Sequence, residues 1–206
     1  MTDEAQRIFT IGHSNHTAAD FAVLLRRHGI TAIADVRSQP YSRFSQFSRP
    51  SLEANLREVK IRYVFLGEEL GARSKDLSCY EDGRVQYGRL AQTDLFRRGI
   101  ERLLNGRMRF RIALMCAERE HLTCHRTILV CKVLHKIGVP VCHIHPNGSL
   151  ESHDDAMLRL IDFVGLPRTH LFRSLEDLIE EACALQEARI AYVDERLVSQ
   201  PAGETS

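Results

Sequence analysis

The segment that decides the fold is Arg111-Ile-Ala-Leu-Met-Cys116-Ala-Glu118, with Thr123-Cys124-His125-Arg126 following it closely. An apolar run of this length that ends in polar residues predicts a buried strand, and the apolar periodicity that follows predicts a helix. Two thiols, a carboxylate, an imidazole and a guanidinium therefore lie in one strand-to-helix connection. Ligands of open α/β sheets bind at this end of the strands, so chemistry is expected here first.

Strands and helices are predicted to alternate along the rest of the chain. Short apolar runs indicate strands, and segments with helical apolar periodicity separate them. The expected strands are residues 7–11, 30–34, 61–65, 110–115 and 139–144, and the expected helices are 18–28, 51–59, 90–104, 123–137, 153–163 and 174–198. The alternation indicates right-handed βαβ units. The predicted fold class is α/β, a single three-layer domain with a mostly parallel sheet plus a C-terminal helix.

The connections and the domain limits complete this prediction. Residues 38–50 are rich in Ser, Arg and aromatics and predict a long loop, after which Ser51 caps a helix, whereas residues 66–88 predict irregular structure. Asn147-Gly148 has the composition of a hairpin turn. The α/β domain is expected to span residues 1–165. Residues 166–206 are expected to form a helix and tail that pack on the body or on a second subunit, as in a homodimer.

Composition narrows the class of protein. The 206 residues are 44% hydrophobic and 27% charged, which is ordinary for a globular domain, and the net charge of +1 gives no overall electrostatic case for nucleic acid or an anionic membrane. The first seven residues are polar, and no apolar run is long enough to span a bilayer. No export signal is apparent in the sequence, so its six cysteines are expected to be reduced thiols. A cytoplasmic location and no membrane partner are therefore predicted.

The connection after the 110–115 strand has the composition of a nucleophile site. Backbone N–H groups and the helix dipole at the first turn of the next helix favour a thiolate or a bound anion. A thiol placed there should have a depressed pKa and be nucleophilic. The catalytic candidates are Cys116, Glu118, Cys124 and His125, with Glu118 and His125 managing protons while Arg126 holds an anion.

Neighbouring connections at the same edge of the sheet supply further polar and aromatic side chains. A Gly-His-Ser-Asn turn follows the first strand, and Asp-Val-Arg follows the second. The loop beyond it interleaves aromatics with arginine, a composition that suits a ring plus a phosphate. The candidates for substrate binding are His13, Ser14, Asn15, Asp35, Arg37, Ser38, Tyr41, Arg43, Phe47, Glu69, Arg73 and Arg126.

These residues predict an enzyme that acts on a phosphate-bearing or nucleotide-like substrate, and they identify no cofactor. A second interpretation is a nucleic-acid or nucleotide-binding module without catalysis, which would use the arginines and aromatics of residues 35–47. A third is a metal-binding protein. However, Cys-x7-Cys is not a recognised zinc spacing. The preferred interpretation of His143 and His145 is a histidine pair packed on one strand. The zinc or iron ligands would come from Cys116, Cys124, His125 and either His143 or His145.

The combined motifs resemble a known family. They are Thr10-Ile-Gly-His-Ser-Asn15, Asp35-Val-Arg-Ser-Gln-Pro40, Ser45-Gln-Phe47, Tyr63-Val-Phe-Leu-Gly67, Leu70-Gly-Ala-Arg73, Cys116-Ala-Glu118 and Cys124-His-Arg126. The sequence thus resembles the bacterial and archaeal family called domain of unknown function 488, from about Ile8 to Ile144. The resemblance implies a compact α/β domain and little about function. Glu120-His121 stands where the family usually has Asp-Pro, and His121 is expected to be a tolerated surface substitution.

Overall fold

Short apolar runs form the strands of the computed structural model, which describes residues 6–169 and 172–198. Expectations for residues 1–5 and for the tail from 199 onwards lie outside the described residues. A six-stranded sheet has the order β3-β2-β6-β1-β7-β8, and β4 and β5 form a separate hairpin. The strands are β1 (Ile8–Gly12), β2 (Ala32–Asp35), β3 (Arg62–Phe65), β4 (Tyr80–Glu81), β5 (Arg84–Val85), β6 (Ile112–Cys116), β7 (Val141–Ile144) and β8 (Leu150–Ser152).

Helices cover both faces of the sheet. Thr17, Thr93, Ser152 and Ser174 each cap the helix that follows, because the side-chain oxygen accepts a hydrogen bond from a free N–H of the first turn. The α-helices are α1 (Ala18–Arg27), α2 (Arg49–Glu58), α3 (Gly67–Leu70), α4 (Tyr87–Ala91), α5 (Asp94–Arg107), α6 (Lys132–Lys136), α7 (His153–Val164) and α8 (Leu175–Ile190).

The hydrophobic core has two halves, one on each side of the sheet. Phe9 and Ile11 of β1 pack with α1 and α2 on one face, whereas Ile8 joins the larger half on the other face. All pairings among β3, β2, β6, β1 and β7 are parallel, and only β8 is antiparallel. Strands buried on both faces are typical of such sheets. The predicted α/β class with a mostly parallel three-layer arrangement is confirmed.

Three local expectations need correction. Helix α2 begins at Arg49 after Ser48, not after Ser51, because Pro50 fits the first turn of a helix, where its missing N–H costs nothing. Residues 66–88 are not irregular but contain α3, the β4–β5 hairpin and α4. The helix expected over 123–137 starts later: a short 3-10 turn (His121–Thr123) precedes a π-helix (Arg126–Cys131) that continues into α6.

Residues 147–169 and 172–198 pack against the rest of the described domain. Asn147-Gly148 forms the expected hairpin turn, after which β8 pairs with β7, and Gly148 has a φ of +80°. Helix α8 lies against α7, and Gln186 Nε2 donates a hydrogen bond to the Leu122 carbonyl at 2.9 Å. The Tyr87 N–H donates to the Glu187 carboxylate at 2.7 Å. The C-terminal segment therefore contacts the connection that carries the cysteines.

Two general features follow from the packing. All six cysteines, each within the described residues, are buried and free. Across the described ranges, no helix combines the length and the apolarity needed to cross a membrane.

Candidate functional site

The connections after β1, β2 and β6 meet at the carboxyl edge of the sheet, because these strands are parallel neighbours. Backbone hydrogen bonds join them directly: His13 N–H donates to the Cys116 carbonyl at 2.9 Å, and Ser14 N–H donates to the Ala117 carbonyl at 3.0 Å. Val36 N–H donates to the Met115 carbonyl at 3.1 Å. The three connections therefore form one rigid rim.

A cavity of about 330 Å³, here called the thiol cavity, opens beside this rim. Cys116 and Cys124 both line this cavity, together with three tyrosines and two arginines. The lining residues are Arg37, Ser38, Gln39, Tyr41, Ala72, Arg73, Tyr87, Cys116, Ala117, Glu118, Thr123, Cys124, His125, Ile190 and Tyr192. The volume suits a small ligand.

All four catalytic candidates come together in the thiol cavity. Cys124 Sγ lies at hydrogen-bond distance, 2.9 Å, from Glu118 Oε2, and Nδ1 of His125 lies 3.8 Å from the sulfur of Cys124 and 3.8 Å from that of Cys116. His125 Nε2 donates to the Val36 carbonyl at 2.9 Å. This bond fixes the imidazole so that Nδ1 faces both sulfurs.

The surroundings of Cys124 favour its thiolate. Burial alone raises the pKa of the thiol, but the hydrogen bond from Cys116, the Arg126 guanidinium and the His125 imidazole outweigh it, so the pKa lies well below that of free cysteine. Burial lowers the pKa of His125, yet the negative charge of Cys124 raises it above the ordinary value. The backbone N–H of Arg126 donates to the sulfur at 3.5 Å. Both shifts favour a thiolate on Cys124 and a charged imidazole on His125.

The pKa shifts of the other two candidates, Cys116 and Glu118, favour their protonated forms. The hydrogen bond between Cys116 and Cys124 raises the pKa of Cys116 well above the ordinary value, and burial is the second largest cause of this rise. Burial and the nearby negative charge of Cys124 raise the pKa of Glu118. The two thiols therefore differ: the surroundings favour the thiolate of Cys124 and the protonated form of Cys116.

Arg126 acts from beneath the site and not from within the cavity. Its side chain is 1% exposed, and Nη1 donates to the Glu118 carbonyl at 3.0 Å. Gly12 makes room for this packing, because a Cβ atom there would lie 1.9 Å from the same carbonyl oxygen. The π-helix that starts at Arg126 belongs to a rare class found often at functional sites. Arg126 was expected to hold a substrate anion; in the structure its guanidinium contacts the Glu118 carbonyl and, at 3.8 Å, the Glu118 carboxylate.

Asp35 and Arg37 form the second wall. Asp35 is fully buried and accepts hydrogen bonds from Arg37 Nη2 at 2.6 Å, Arg37 Nε at 2.9 Å and the Tyr63 hydroxyl at 2.8 Å. Arg37 Nη1 donates to His13 Nε2 at 3.3 Å, and burial lowers the pKa of His13 to about 4. Arg37 lines the cavity, and Asp35 and His13 hold its guanidinium in place.

The remaining substrate-binding candidates separate into two groups. Ser38, Tyr41 and Arg73 line the thiol cavity. The others lie outside its lining: Ser14 and Asn15 are in the turn beside it, Arg43 stacks on Phe44, Phe47 is buried against His13 at 4.4 Å between ring centroids, and Glu69 pairs with Arg102.

Sequence reasoning missed several lining residues, among them Tyr87 and Tyr192. Tyr192 follows α8 and reaches the site because Val85 N–H donates to its carbonyl at 3.0 Å, which joins the end of the chain to the β4–β5 hairpin. Arg73 lies over the Tyr192 ring at 4.6 Å. The only signal was aromatic residues inside segments assigned to an irregular connection and a terminal helix.

The later histidines form a separate cluster, so they are not ligands beside the cysteines. His121 is buried, not a surface substitution, and its ring stacks on that of His143 at 3.9 Å. Ligating atoms of His121, His145 and Glu151 lie within 4.8 Å of one another. Arg159 Nη2 lies 2.8 Å from Glu151 Oε2 and 3.0 Å from His121 Nε2, so a guanidinium already neutralises this cluster and opposes a metal cation.

This histidine cluster predicts acid-sensitive stability. Burial lowers the pKa of His121 and of His153 to about 4, and burial also places that of His143 well below its ordinary value. The unfolded chain binds these protons near pH 6.5, so stability is complete above that pH and decreases as pH falls towards 4. We expect the free energy of unfolding to fall by about 2 kcal/mol for each of His121 and His153 between pH 7 and pH 5.

Urea denaturation at pH 7 and pH 5 measures this effect. His125, whose pKa is raised, has the opposite sign and offsets part of it. His153→Gln should reduce the dependence on pH by about one proton. Equal stability at the two pH values would contradict the prediction.

The cysteine cluster has a donor set that fits a soft metal ion. Ligating atoms of Cys116, Cys124 and His125 lie within 4.8 Å of one another. Two thiolates and an imidazole are common ligands of zinc, with a fourth position left for water or substrate. The Glu118 carboxyl group lies 2.9 Å from the Cys124 sulfur.

Comparison with known proteins gives a family and no activity. A family model described as Domain of unknown function DUF488 matches residues 17–133, which is more than half of the chain. Neither curated proteins nor solved structures include a significant match.

Proposed function

Because the chain belongs to the DUF488 family, whose description names no activity, we propose its function from the site: a thiol-dependent enzyme with Cys124 as the nucleophile. One observation carries the proposal. The Cys124 sulfur lies on a cavity floor, 2.9 Å from Glu118 Oε2 and 3.8 Å from His125 Nδ1, above the buried charge of Arg126. Activated catalytic thiols have such partners.

The arrangement supports covalent catalysis in two steps. The Cys124 thiolate forms a bond to an electrophilic phosphorus or acyl carbon, and the bond to the leaving group breaks as Glu118 protonates that group. Water then attacks the adduct, Glu118 takes up the proton, and the Cys124 thiolate is restored. His125 stays charged beside the sulfur and stabilises the thiolate in both steps.

The cavity favours a substrate with an anionic group and a ring. Arg37 and Arg73 are the cationic arginines of its lining, and guanidinium groups bind phosphate oxygens well. Tyr41 is 75% exposed at the mouth, and the Tyr192 ring already carries Arg73 on one face. A ring can stack between such groups. We therefore propose a phosphate-bearing or nucleotide-like substrate.

Alkylation tests both parts of the proposal. Between pH 8 and pH 6 the thiolate fraction of a free cysteine falls about 80-fold, and iodoacetamide should modify Cys124 with a much smaller fall in rate, because the pKa of Cys124 lies well below that of free cysteine. Adenosine 5′-monophosphate should slow the reaction at least about fivefold in the native protein and much less in Arg73→Ala. Quantitative peptide mapping gives both rates.

Cys131→Ser is the matched control, because Cys131 is a neighbouring thiol whose pKa burial raises. This variant should alkylate as the native protein does, and Cys124→Ser should lose the fast phase. A rate that follows an ordinary thiol pKa would refute the nucleophile. Alkylation that adenosine 5′-monophosphate leaves unchanged would refute the substrate class.

A metal centre is the second candidate, favoured by the proximity of the Cys116, Cys124 and His125 ligating atoms. Zinc held there would polarise a substrate oxygen or activate water, and Cys124 would then be a ligand in place of a nucleophile. Zinc titration followed by elemental analysis distinguishes the two. Stoichiometric zinc that resists dialysis and is lost in Cys116→Ser supports the metal centre, and retention equal to that of a blank excludes it.

A further inference from the structure

The mechanism above leaves Cys116 without a covalent role. Cys116 is the last residue of β6. Cys124 lies between the 3-10 turn and the π-helix in an extended conformation. The Cys116 and Cys124 sulfurs belong to a group of atoms within 4.8 Å of one another. No other described element separates them, and both line the same cavity.

We propose that Cys116 is a resolving thiol: a hydroperoxide that enters the thiol cavity oxidises Cys124, and Cys116 then closes a reversible Cys116–Cys124 disulfide. The inference rests on the proposed role of Cys124 as the nucleophile. It adds a modification site, and it assigns a hydroperoxide as the class of oxidant. A small peroxide fits a cavity of about 330 Å³.

Both steps balance with groups already at the site. The Cys124 thiolate attacks a peroxide oxygen, the O–O bond breaks, and the departing alkoxide or hydroxide takes the proton of Glu118, which leaves a sulfenic acid on Cys124. Cys116 then loses its proton to the Glu118 carboxylate and attacks the Cys124 sulfur. The S–O bond breaks, hydroxide leaves as water with that proton, and the S–S bond forms. Two thiols are oxidised, and the peroxide is reduced to an alcohol and water.

The geometry permits this closure with local movement. The two sulfurs lie within 4.8 Å of one another and a disulfide requires about 2.05 Å, so closure needs each sulfur to move by at most roughly 1.4 Å. The seven residues between the cysteines form a short loop, which keeps the effective concentration of one thiol at the other high. All four of Cys116, Cys124, Cys131 and Cys142 are buried, but Cys131 and Cys142 line no part of this cavity.

Closure would block the enzyme reversibly. Cys124 in a disulfide has no thiolate, so the nucleophile is protected from further oxidation until a thiol reductant restores it. Without Cys116, the sulfenic acid would persist and progress to irreversible forms.

The test compares the native protein with Cys116→Ser and with Cys131→Ser as the matched control. Each is treated with hydrogen peroxide in the presence of dimedone, which traps sulfenic acid, and is mapped by mass spectrometry without reduction. We expect the Cys116–Cys124 disulfide in the native protein and in Cys131→Ser. Cys116→Ser should accumulate at least about ten times more dimedone adduct on Cys124, and dithiothreitol should restore alkylation of the native protein and of Cys131→Ser but not of Cys116→Ser.

Equal dimedone adduct in the native protein and Cys116→Ser would overturn the inference, as would a disulfide with a different partner. Alkylation without oxidant separates this failure from failure of the proposed function. If iodoacetamide modifies Cys124 rapidly but no disulfide forms, Cys116 is not a resolving thiol while the nucleophile stands. If Cys124 resists both reagents, both proposals fall. Circular dichroism of each variant shows that it is folded.

Discussion

Arg126→Met is expected to slow the alkylation of Cys124 at pH 7 by at least about tenfold. The guanidinium is buried beneath the site, and its positive charge lowers the pKa of the Cys124 thiol against the opposing effect of burial. A shift of one pKa unit is tenfold in thiolate population once the pKa exceeds the working pH. Methionine has a similar length and no charge, so the thiol should gain its proton. The pH dependence of alkylation measures the shift.

Arg119→Met is the matched control, because Arg119 is an exposed arginine next to Glu118. It should leave the alkylation profile unchanged, and Arg126→Lys should retain part of the low pKa. A native profile in Arg126→Met, with the fold intact by circular dichroism, would show that His125 and the helix start alone sustain the thiolate.

Asp35→Asn is expected to destabilise the fold by about 3–5 kcal/mol, the usual cost of leaving a buried charge without its partner. Arg37 is 5% exposed, and Asp35 accepts two of its side-chain hydrogen bonds. The amide cannot neutralise the guanidinium. Urea denaturation at pH 7.5 measures the loss.

The double variant Asp35→Asn/Arg37→Met should recover much of this stability, because it removes the second charge as well. Asp94→Asn is the control: Asp94 pairs with Arg97 at the surface, and its loss should cost less than about 1 kcal/mol. A loss of stability as small as that of the control would mean that water reaches Arg37 and solvates it.

The strand-to-helix connection was predictable because local chemistry defines it. Residues 112–116 form a continuous apolar run with polar residues immediately after, and parallel sheets gather such ends at one edge. That rule is enough to place Cys116, Glu118, Cys124 and His125 near the loops after β1 and β2. The hairpin at Asn147-Gly148 likewise depends on residues adjacent in the chain.

Long-range packing was not predictable. Nothing in the residues around Arg126 shows that its side chain lies under the sheet edge while Arg73, from a segment assigned as irregular, reaches the cavity. The burial of His121 was not predictable for the same reason. It depends on α7 and β8, which supply Arg159 and Glu151. Tyr192 lies more than one hundred residues after β5 in the chain. It reaches the site only because its segment pairs with β5 through the Val85 N–H.

The strand order also has a consequence for how the chain is made. β1 lies in the middle of the sheet, and its two neighbours are β6 and β7, which end at residues 116 and 144. A ribosome adds about 5–20 residues per second, so the apolar segment Ile8–Gly12 waits roughly 5–25 seconds for both partners to be synthesised. During that interval an unpaired strand is exposed outside the exit tunnel. Nascent chains that stall before residue 144 should therefore bind chaperones through their first strand.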